Sequence, residues 1–267
     1  MKYDGIILFA DLDGTLLDDK RRLSGENLDA LRDFAGQGGR FGVATGRMER
    51  TTLYNFPDLP VNTPSIFFNG ALVYDLPAGK QVYGITMPAG LEAIFQDILD
   101  RYPSSSVEIN AAGKAFIPRY NEIIRTQLRR EGLIGVKAGW GDIPGGWFKV
   151  LVADRHECLE KVKAELDGLG RTDINIMFSE EELLDIMARG VSKGAALLRL
   201  KKANGGAWKT VFAVGDNDND LDMIQAADVG ICVANGTPPV RDAARYEVAD
   251  HTIPCIPQIL KIIDQYL

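Results

Sequence analysis

Two short acidic runs hold the residue types best suited to chemistry. The first, Asp11-Leu12-Asp13-Gly14-Thr15-Leu16, follows the apolar run Ile6-Ile7-Leu8-Phe9-Ala10. Carboxylates this close repel each other, so either a cation neutralises them or one holds a proton, and both states are useful in catalysis. The second run, Gly215-Asp216-Asn217-Asp218-Asn219-Asp220, follows Val211-Phe212-Ala213-Val214. Its alternating acids resemble an EF-hand calcium loop. That reading fails, because the loop's glycine position is Leu221 and its closing glutamate position is Ala227. A helix N-cap would need one such side chain. Four acids or amides exceed that need and favour a metal site.

Two smaller signals lie between them. Thr45-Gly46-Arg47 offers a hydroxyl, bare backbone and a guanidinium, all suited to phosphate oxygens. Ser192-Lys193-Gly194 places an ammonium where a helix starts and backbone N–H groups favour anions. Acidic clusters and anion-binding elements together suit Mg²⁺ and a phosphate, since Mg²⁺ takes a few carboxylates plus phosphate oxygens and water.

The elements that must position these groups follow a repeating grammar. Apolar strands are expected at 6–10, 41–44, 65–68, 210–214 and 229–233. Helices are expected after the Ser24 cap, over 192–202, 221–227, 238–244 and 256–266. Strands alternating with helices predict an α/β fold, a doubly wound parallel-sheet (Rossmann-like) core whose ligands bind at the carboxyl ends of the strands. The middle of the chain reads differently. Strand pairs without an intervening helix occur at 107–110 with 114–117, and at 174–178 with 183–187. They predict a mostly antiparallel sheet with helices on one side, an inserted α+β cap domain. The expected division is 1–81 and 189–267 for the core and 82–188 for the cap.

Net charge is −7, with 30 Lys+Arg against 37 Asp+Glu. Such a surface repels a phosphate backbone, and with no marked basic run nucleic acid is not an expected partner. The odd cysteine count, Cys158, Cys232 and Cys255, gives no disulfide framework and suits a reducing cytosol. No stretch reaches membrane-spanning length, and a cytoplasmic protein is expected; the sequence leaves the oligomeric state open between a monomer and a weak dimer. His156 and His251 neighbour no candidate nucleophile and read as surface or structural. Cys232 reads as a core hydrophobe, and Arg125, Arg129 and Arg130 as a solvated helix face.

In these motifs the chain resembles the haloacid dehalogenase superfamily: Asp11 to Thr15, Thr45-Gly46-Arg47, Lys193, and Gly215-Asp216 with Asn219-Asp220 occur in the family's order. It is most similar to the Cof-type (subclass IIB) phosphatases, with Asn69-Gly70 after the third strand, Val191-Ser192-Lys193-Gly194, and Met223 after the acidic loop. Residues 16–44 leave no room for a domain, whereas 48–192 do, which places the cap in the second interval.

The resemblance implies a Mg²⁺-dependent phosphatase acting on a small phosphorylated metabolite, a sugar phosphate first, with flavin mononucleotide or pyridoxal phosphate as the alternatives. Asp11 would be the nucleophile and form an aspartyl-phosphate. Asp13 would protonate the leaving oxygen and then activate water, with its pKa raised by Asp11 and the substrate phosphate. Asp11, the Asp13 carbonyl and Asp216 would bind Mg²⁺, supported by Asp220. The Leu12 N–H, Thr45, Gly46, Lys193 and Asn219 would hold phosphoryl oxygens, and Arg47 would add charge. Asp13 separates the chain from true dehalogenases, which lack an acid there. P-type ATPases need membrane helices. The rival readings are a phosphomutase of the phosphomannomutase type and a non-catalytic binder of Mg²⁺ and a phosphorylated metabolite.

Overall fold

The computed structural model describes residues 1–267. Contacts divide the chain into two compact units: residues 1–47, 56–83 and 192–267, and residues 48–55 with 84–191. No helix is long and apolar enough to cross a membrane.

The first unit is built on five parallel strands: β1 (Ile6–Ala10), β2 (Arg40–Val43), β12 (Thr210–Gly215), β13 (Val229–Val233) and β14 (Tyr246–Val248). Their order is β14-β13-β12-β1-β2. The β1 residues are all buried, as a continuous apolar run in a parallel sheet requires. Helices α6 (Lys193–Ala203), α7 (Leu221–Ala226) and α8 (Pro238–Ala243) cover the face carrying Ile7, Phe9, Val211 and Ala213. The alternate residues point the other way. There α1 (Gly25–Gly36) packs with α9 (Ile256–Ile263), and the Phe212 ring meets Tyr266 edge-on. Ser24 caps α1 by accepting from the Asn27 N–H at 3.1 Å.

The third expected strand departs from the parallel sheet. Strand β3 (Ser65–Phe67) pairs antiparallel with β4 (Leu72–Asp75), which β5 (Lys80–Gly84) extends. Only one bridge, Ala44 to Ile66, ties β3 beside the end of β2. The tight Phe68–Gly70 turn reverses the chain at once, leaving no crossover helix to bring β4 round parallel.

The second unit is a six-stranded sheet in the order β10-β11-β9-β6-β7-β8, with β6 (Ser106–Ala111), β7 (Lys114–Arg119), β8 (Gly135–Lys137), β9 (Lys149–Ala153), β10 (Ile174–Glu180) and β11 (Leu183–Ala188). All pairings are antiparallel except β7 with β8. Helices lie on both faces, not on one as the sequence suggests. α3 (Glu92–Arg101) and α5 (His156–Gly168) cover Val107, Ile109, Val150, Val152, Leu184 and Ile186. α4 (Glu122–Glu131) covers Ala115, Ile117, Leu151, Ala153 and Leu183 on the opposite face. Both residue parities of the central strands are apolar along part of their length, so both faces need cover.

Helix α2 (Glu49–Asn55) belongs to this unit, although its sequence position suggests the first. The Asn55 amide donates to the Glu131 carbonyl at 2.8 Å, which ties it to the end of α4.

Candidate active site

Strand register brings the two acidic runs together. β1 and β12 are parallel neighbours with Ala10 opposite Val214, so both end at the same edge of the sheet. The Asp11 N–H donates to the Val214 carbonyl at 3.0 Å, and Asp216 follows one residue beyond β12. Gly14 has φ 77°, and a Cβ there would lie 2.5 Å from Asp216 Oδ2. Glycine therefore meets two demands, a left-handed backbone and close approach of the second acidic loop.

Lys193 is fully buried and stands between two acids. Its Nζ donates to Asp11 Oδ1 at 2.7 Å and to Asp220 Oδ1 at 2.6 Å. Asp220 Oδ2 accepts from the Asp216 and Asn217 N–H groups, both at 3.1 Å. Asp220 thus commits both oxygens to holding the lysine and the loop. Asp216 accepts from the Thr15 hydroxyl through Oδ1 at 2.7 Å. Oxygens of Asp11, Asp216 and Asp220 lie within 4.8 Å of one another.

These charges do not balance. Burial alone would drive the Lys193 ammonium down, but Asp11 and Asp220 outweigh it and hold the pKa above the usual lysine value. Burial pushes the Asp11 carboxyl well up despite Lys193, with Asp220, Asp216 and Asp13 adding repulsion. Burial and the Asp220 charge raise Asp216 to about 6. Three carboxylates facing one ammonium, all hard oxygen donors, fit a divalent cation that would relieve this repulsion.

Asp13 differs from the sequence expectation. Arg47, itself buried, grips it with both arms of the guanidinium: Nε to Oδ2 and Nη2 to Oδ1, each 2.7 Å. Arg21 adds a longer ion pair at 3.7 Å. Burial works to raise the Asp13 carboxyl, but the Arg47 hydrogen bonds and charge prevail and hold it below the usual range. With no phosphate in the site, Asp13 is thus the partner of Arg47, whose charge favours its ionised form.

Thr45, Gly46 and Asn219 meet around a residue the site assignment omitted. Asn69 has φ 51°, its N–H donates to the Thr45 carbonyl at 3.0 Å, and its Oδ1 accepts from the Asn219 amide at 3.0 Å. It also lies beside Gly46. Thr45 Oγ1 accepts from the Arg47 N–H at 3.2 Å. The Leu12 side chain is fully buried, and its carbonyl accepts from the Leu16 and Leu17 N–H groups. Asn69-Gly70 was the available signal, since Asn-Gly marks left-handed turns.

Sequence reasoning also set His251 aside. Its N–H donates to Asn235 Oδ1 at 3.0 Å, and the Asn235 amide donates to the Gly14 carbonyl at 2.8 Å. His251 Nε2 lies 2.9 Å from Asp19 Oδ1. The histidine is two hydrogen bonds from the Asp11 loop, a link that no local spacing announces.

A family model described as haloacid dehalogenase-like hydrolase matches residues 8–259. Pyridoxal phosphate phosphatase YbhA of Escherichia coli is 26% identical over 272 residues, covering 95% of this chain and 97% of that protein. The 5-amino-6-(5-phospho-D-ribitylamino)uracil phosphatase YitU of Bacillus subtilis is 23% identical over 270 residues, covering 98% of each. A haloacid dehalogenase-like hydrolase from Bacteroides thetaiotaomicron shares the fold, with TM-score 0.89 at 23% identity over 98% of this chain and 99% of that one.

Proposed function

The chain belongs to the haloacid dehalogenase-like hydrolases, as a Cof-type phosphatase, and from that premise we propose that it cleaves a sugar phosphate with Mg²⁺ through an aspartyl-phosphate on Asp11. As a phosphoric monoester hydrolase it acts on small phosphorylated metabolites, the class to which the substrates named for its relatives belong. The observation that carries the mechanism is the Asp11–Lys193–Asp220 bridge beside Asp216 and the Asp13–Arg47 pair.

Asp11, Asp216 and the Asp13 carbonyl would hold Mg²⁺, with Asp220 supporting. The ion would supply charge neutralisation for the phosphoryl oxygens. Lys193 holds the Asp11 carboxylate in place by a charge-assisted bond. An Asp11 oxygen attacks phosphorus, the ester P–O bond breaks, and Asp13 gives its proton to the leaving oxygen. Asp13 then takes a proton from water, the resulting hydroxide attacks phosphorus, and the Asp11–phosphate bond breaks to release inorganic phosphate. Thr45, Gly46 and Asn219 line the phosphoryl position, with Asn69 orienting Asn219. An arriving phosphoryl dianion competes with Asp13 for Arg47, and this exchange frees Asp13 to take up the proton it must donate. Residues 84–191 form the specificity cap.

The test is a screen of phosphorylated metabolites with Mg²⁺, read as inorganic phosphate release. Asp11→Asn should abolish turnover, because an amide cannot form the acyl-phosphate. Turnover by that variant, with deamidation excluded, removes the nucleophile assignment. Isomerisation of a sugar phosphate without phosphate release would identify a phosphomutase.

A further inference from the structure

The first unit holds a cavity at the end of its sheet remote from the acidic loops. Its volume is about 690 Å³, within the ~300–1,000 Å³ usual for small-molecule sites. Among its lining residues, Arg40 opens β2, Pro64 precedes β3, Pro77 lies in the β4–β5 turn and Val82 on β5. Leu200 and Asn204 come from the end of α6, and Trp208 precedes β12. The acidic and phosphate-binding motifs occupy the other end of the same elements: Thr45 follows β2, Asp216 follows β12 and Lys193 opens α6. The eleven residues of α6 put about 16 Å between the two ends.

The apolar part of the wall is flat and stiff. Pro64, Pro77 and the Trp208 ring have little rotamer freedom to lose, and Trp208 is held by Phe9, with ring centroids 5.8 Å apart at 59°. Such a surface suits a planar ring. The polar part is unfinished. Asn62 commits its side-chain amide to the Phe41 N–H at 2.7 Å and the Gly39 carbonyl at 3.0 Å. Asp75 Oδ1 accepts from the Ala78 N–H at 3.0 Å. Arg40 makes one hydrogen bond, from Nη1 to the Asn62 carbonyl at 3.2 Å. Asn204 caps α6 through its backbone, but its side-chain Nδ2 is buried without a partner. A buried donor left unpaired is destabilising until an acceptor reaches it.

A guanidinium and an amide beside a flat apolar wall define what the cavity lacks. A cationic ligand would be repelled by Arg40. A hydrocarbon would leave Asn204 unpaired, and a polyol would set hydroxyls against the prolines and the indole. An aromatic ring bearing a carboxylate meets each demand. The ring packs on Trp208 and the prolines, the two oxygens match the planar fork of Arg40, and they are acceptors of the kind Asn204 needs. We propose that this cavity binds a small aromatic carboxylate, at a site separate from the catalytic one. Such binding is independent of the phosphatase reading.

The test is calorimetric titration of the full chain with 2-naphthoate, 2-naphthalenemethanol and hexanoate. 2-Naphthoate should bind one to one, tighter than about 1 mM. The alcohol lacks the charge and hexanoate lacks the ring, so each should bind at least tenfold more weakly. Arg40→Gln and Asn204→Ala should each weaken 2-naphthoate binding at least tenfold, the loss expected for a hydrogen bond to a charged group. Asn204→Ala removes an amide with no partner in the protein, so it should fold with an unchanged or higher Tm; it carries the comparison if Arg40→Gln does not fold. Asp11→Asn, and wild type in excess Mg²⁺ and inorganic phosphate, should bind 2-naphthoate with unchanged affinity. No saturable binding, equal binding of either control compound, or full affinity in either folded variant would overturn the proposal. Binding lost in Asp11→Asn or displaced by phosphate would place the ligand at the catalytic edge and overturn it as well.

Discussion

Arg47 meets Asp13 as a two-pronged clamp, both contacts 2.7 Å, with the arginine buried and the aspartate side chain still 37% exposed. A bidentate guanidinium–carboxylate pair is a strong, directional interaction. It orients Asp13 and biases it towards the ionised form, which suits the base that activates water in the second step. The acid of the first step requires this clamp to loosen.

Arg47→Gln should therefore move a pH profile. With the clamp gone, burial prevails and the Asp13 pKa rises. Breakdown of the phosphoenzyme needs ionised Asp13, so its acidic limb should shift to higher pH in single-turnover dephosphorylation. An unmoved limb would mean that Arg47 does not govern Asp13. The sign for stability is opposite to that of a raised carboxyl. A depressed folded pKa contributes stability above the ordinary value near ~3.9, and this is lost as pH falls through the folded pKa.

Asp13→Asn should discriminate between leaving groups. A sugar alkoxide needs a proton to depart, whereas nitrophenolate needs little help. Sugar-phosphate cleavage should slow by roughly two to four orders of magnitude. Phosphorylation of Asp11 by 4-nitrophenyl phosphate should suffer far less and give a burst. Equal losses on both esters would assign Asp13 to positioning.

Mg²⁺ should stabilise the protein more as pH rises through about 6, the value to which Asp216 is raised. Without metal, the folded state holds a proton on Asp216 that the unfolded chain releases near ~3.9. Metal-free stability should thus fall as pH climbs from ~4 to about 6. Bound cation reverses the penalty, by about 2.7 kcal/mol at one hundred times Kd. Thermal unfolding with Mg²⁺ or EDTA at pH 5 and 7.5 reads this directly. Asp216→Ala should abolish most of the metal response, and a full response in that variant would remove Asp216 from the ligand set.

Gly70→Ala should disturb the site from a distance. Gly70 has φ 104°, and a Cβ there would run into the Ser192 carbonyl, one residue before Lys193. Strain of this kind costs on the order of 1–3 kcal/mol before the clash is counted. Urea unfolding should show at least that loss, with a fall in kcat as the start of α6 shifts. Gly79→Ala is the control, with φ 63° and open space around it, and should cost strain alone. Equal stability and activity in the two variants would dismiss the Ser192 contact.

The sequence by itself determined the strands that end in acids, the Ser24 and Ser192 caps, and the grouping of Asp11, Lys193, Asp216 and Asp220, because each rests on local signals: an apolar run, a cap, a motif at a strand end. Tertiary structure alone decided how the charges are paired. Nothing in Thr45-Gly46-Arg47 says that its guanidinium closes on Asp13, since that contact depends on β2 lying beside β1 and on the path of the following loop. The left-handed Asn69 became a site residue only when the Asn219 amide reached it. Glu108 shows the limit most clearly. In Val107-Glu108-Ile109-Asn110 the period-two pattern reads as a sheet with one wet face. Alternation reports which face a side chain takes; whether that face meets water or another layer is set by elements distant in the chain. Lys149, Asp185 and α4 come from beyond that window, and they turn an apparently solvated glutamate into a buried one.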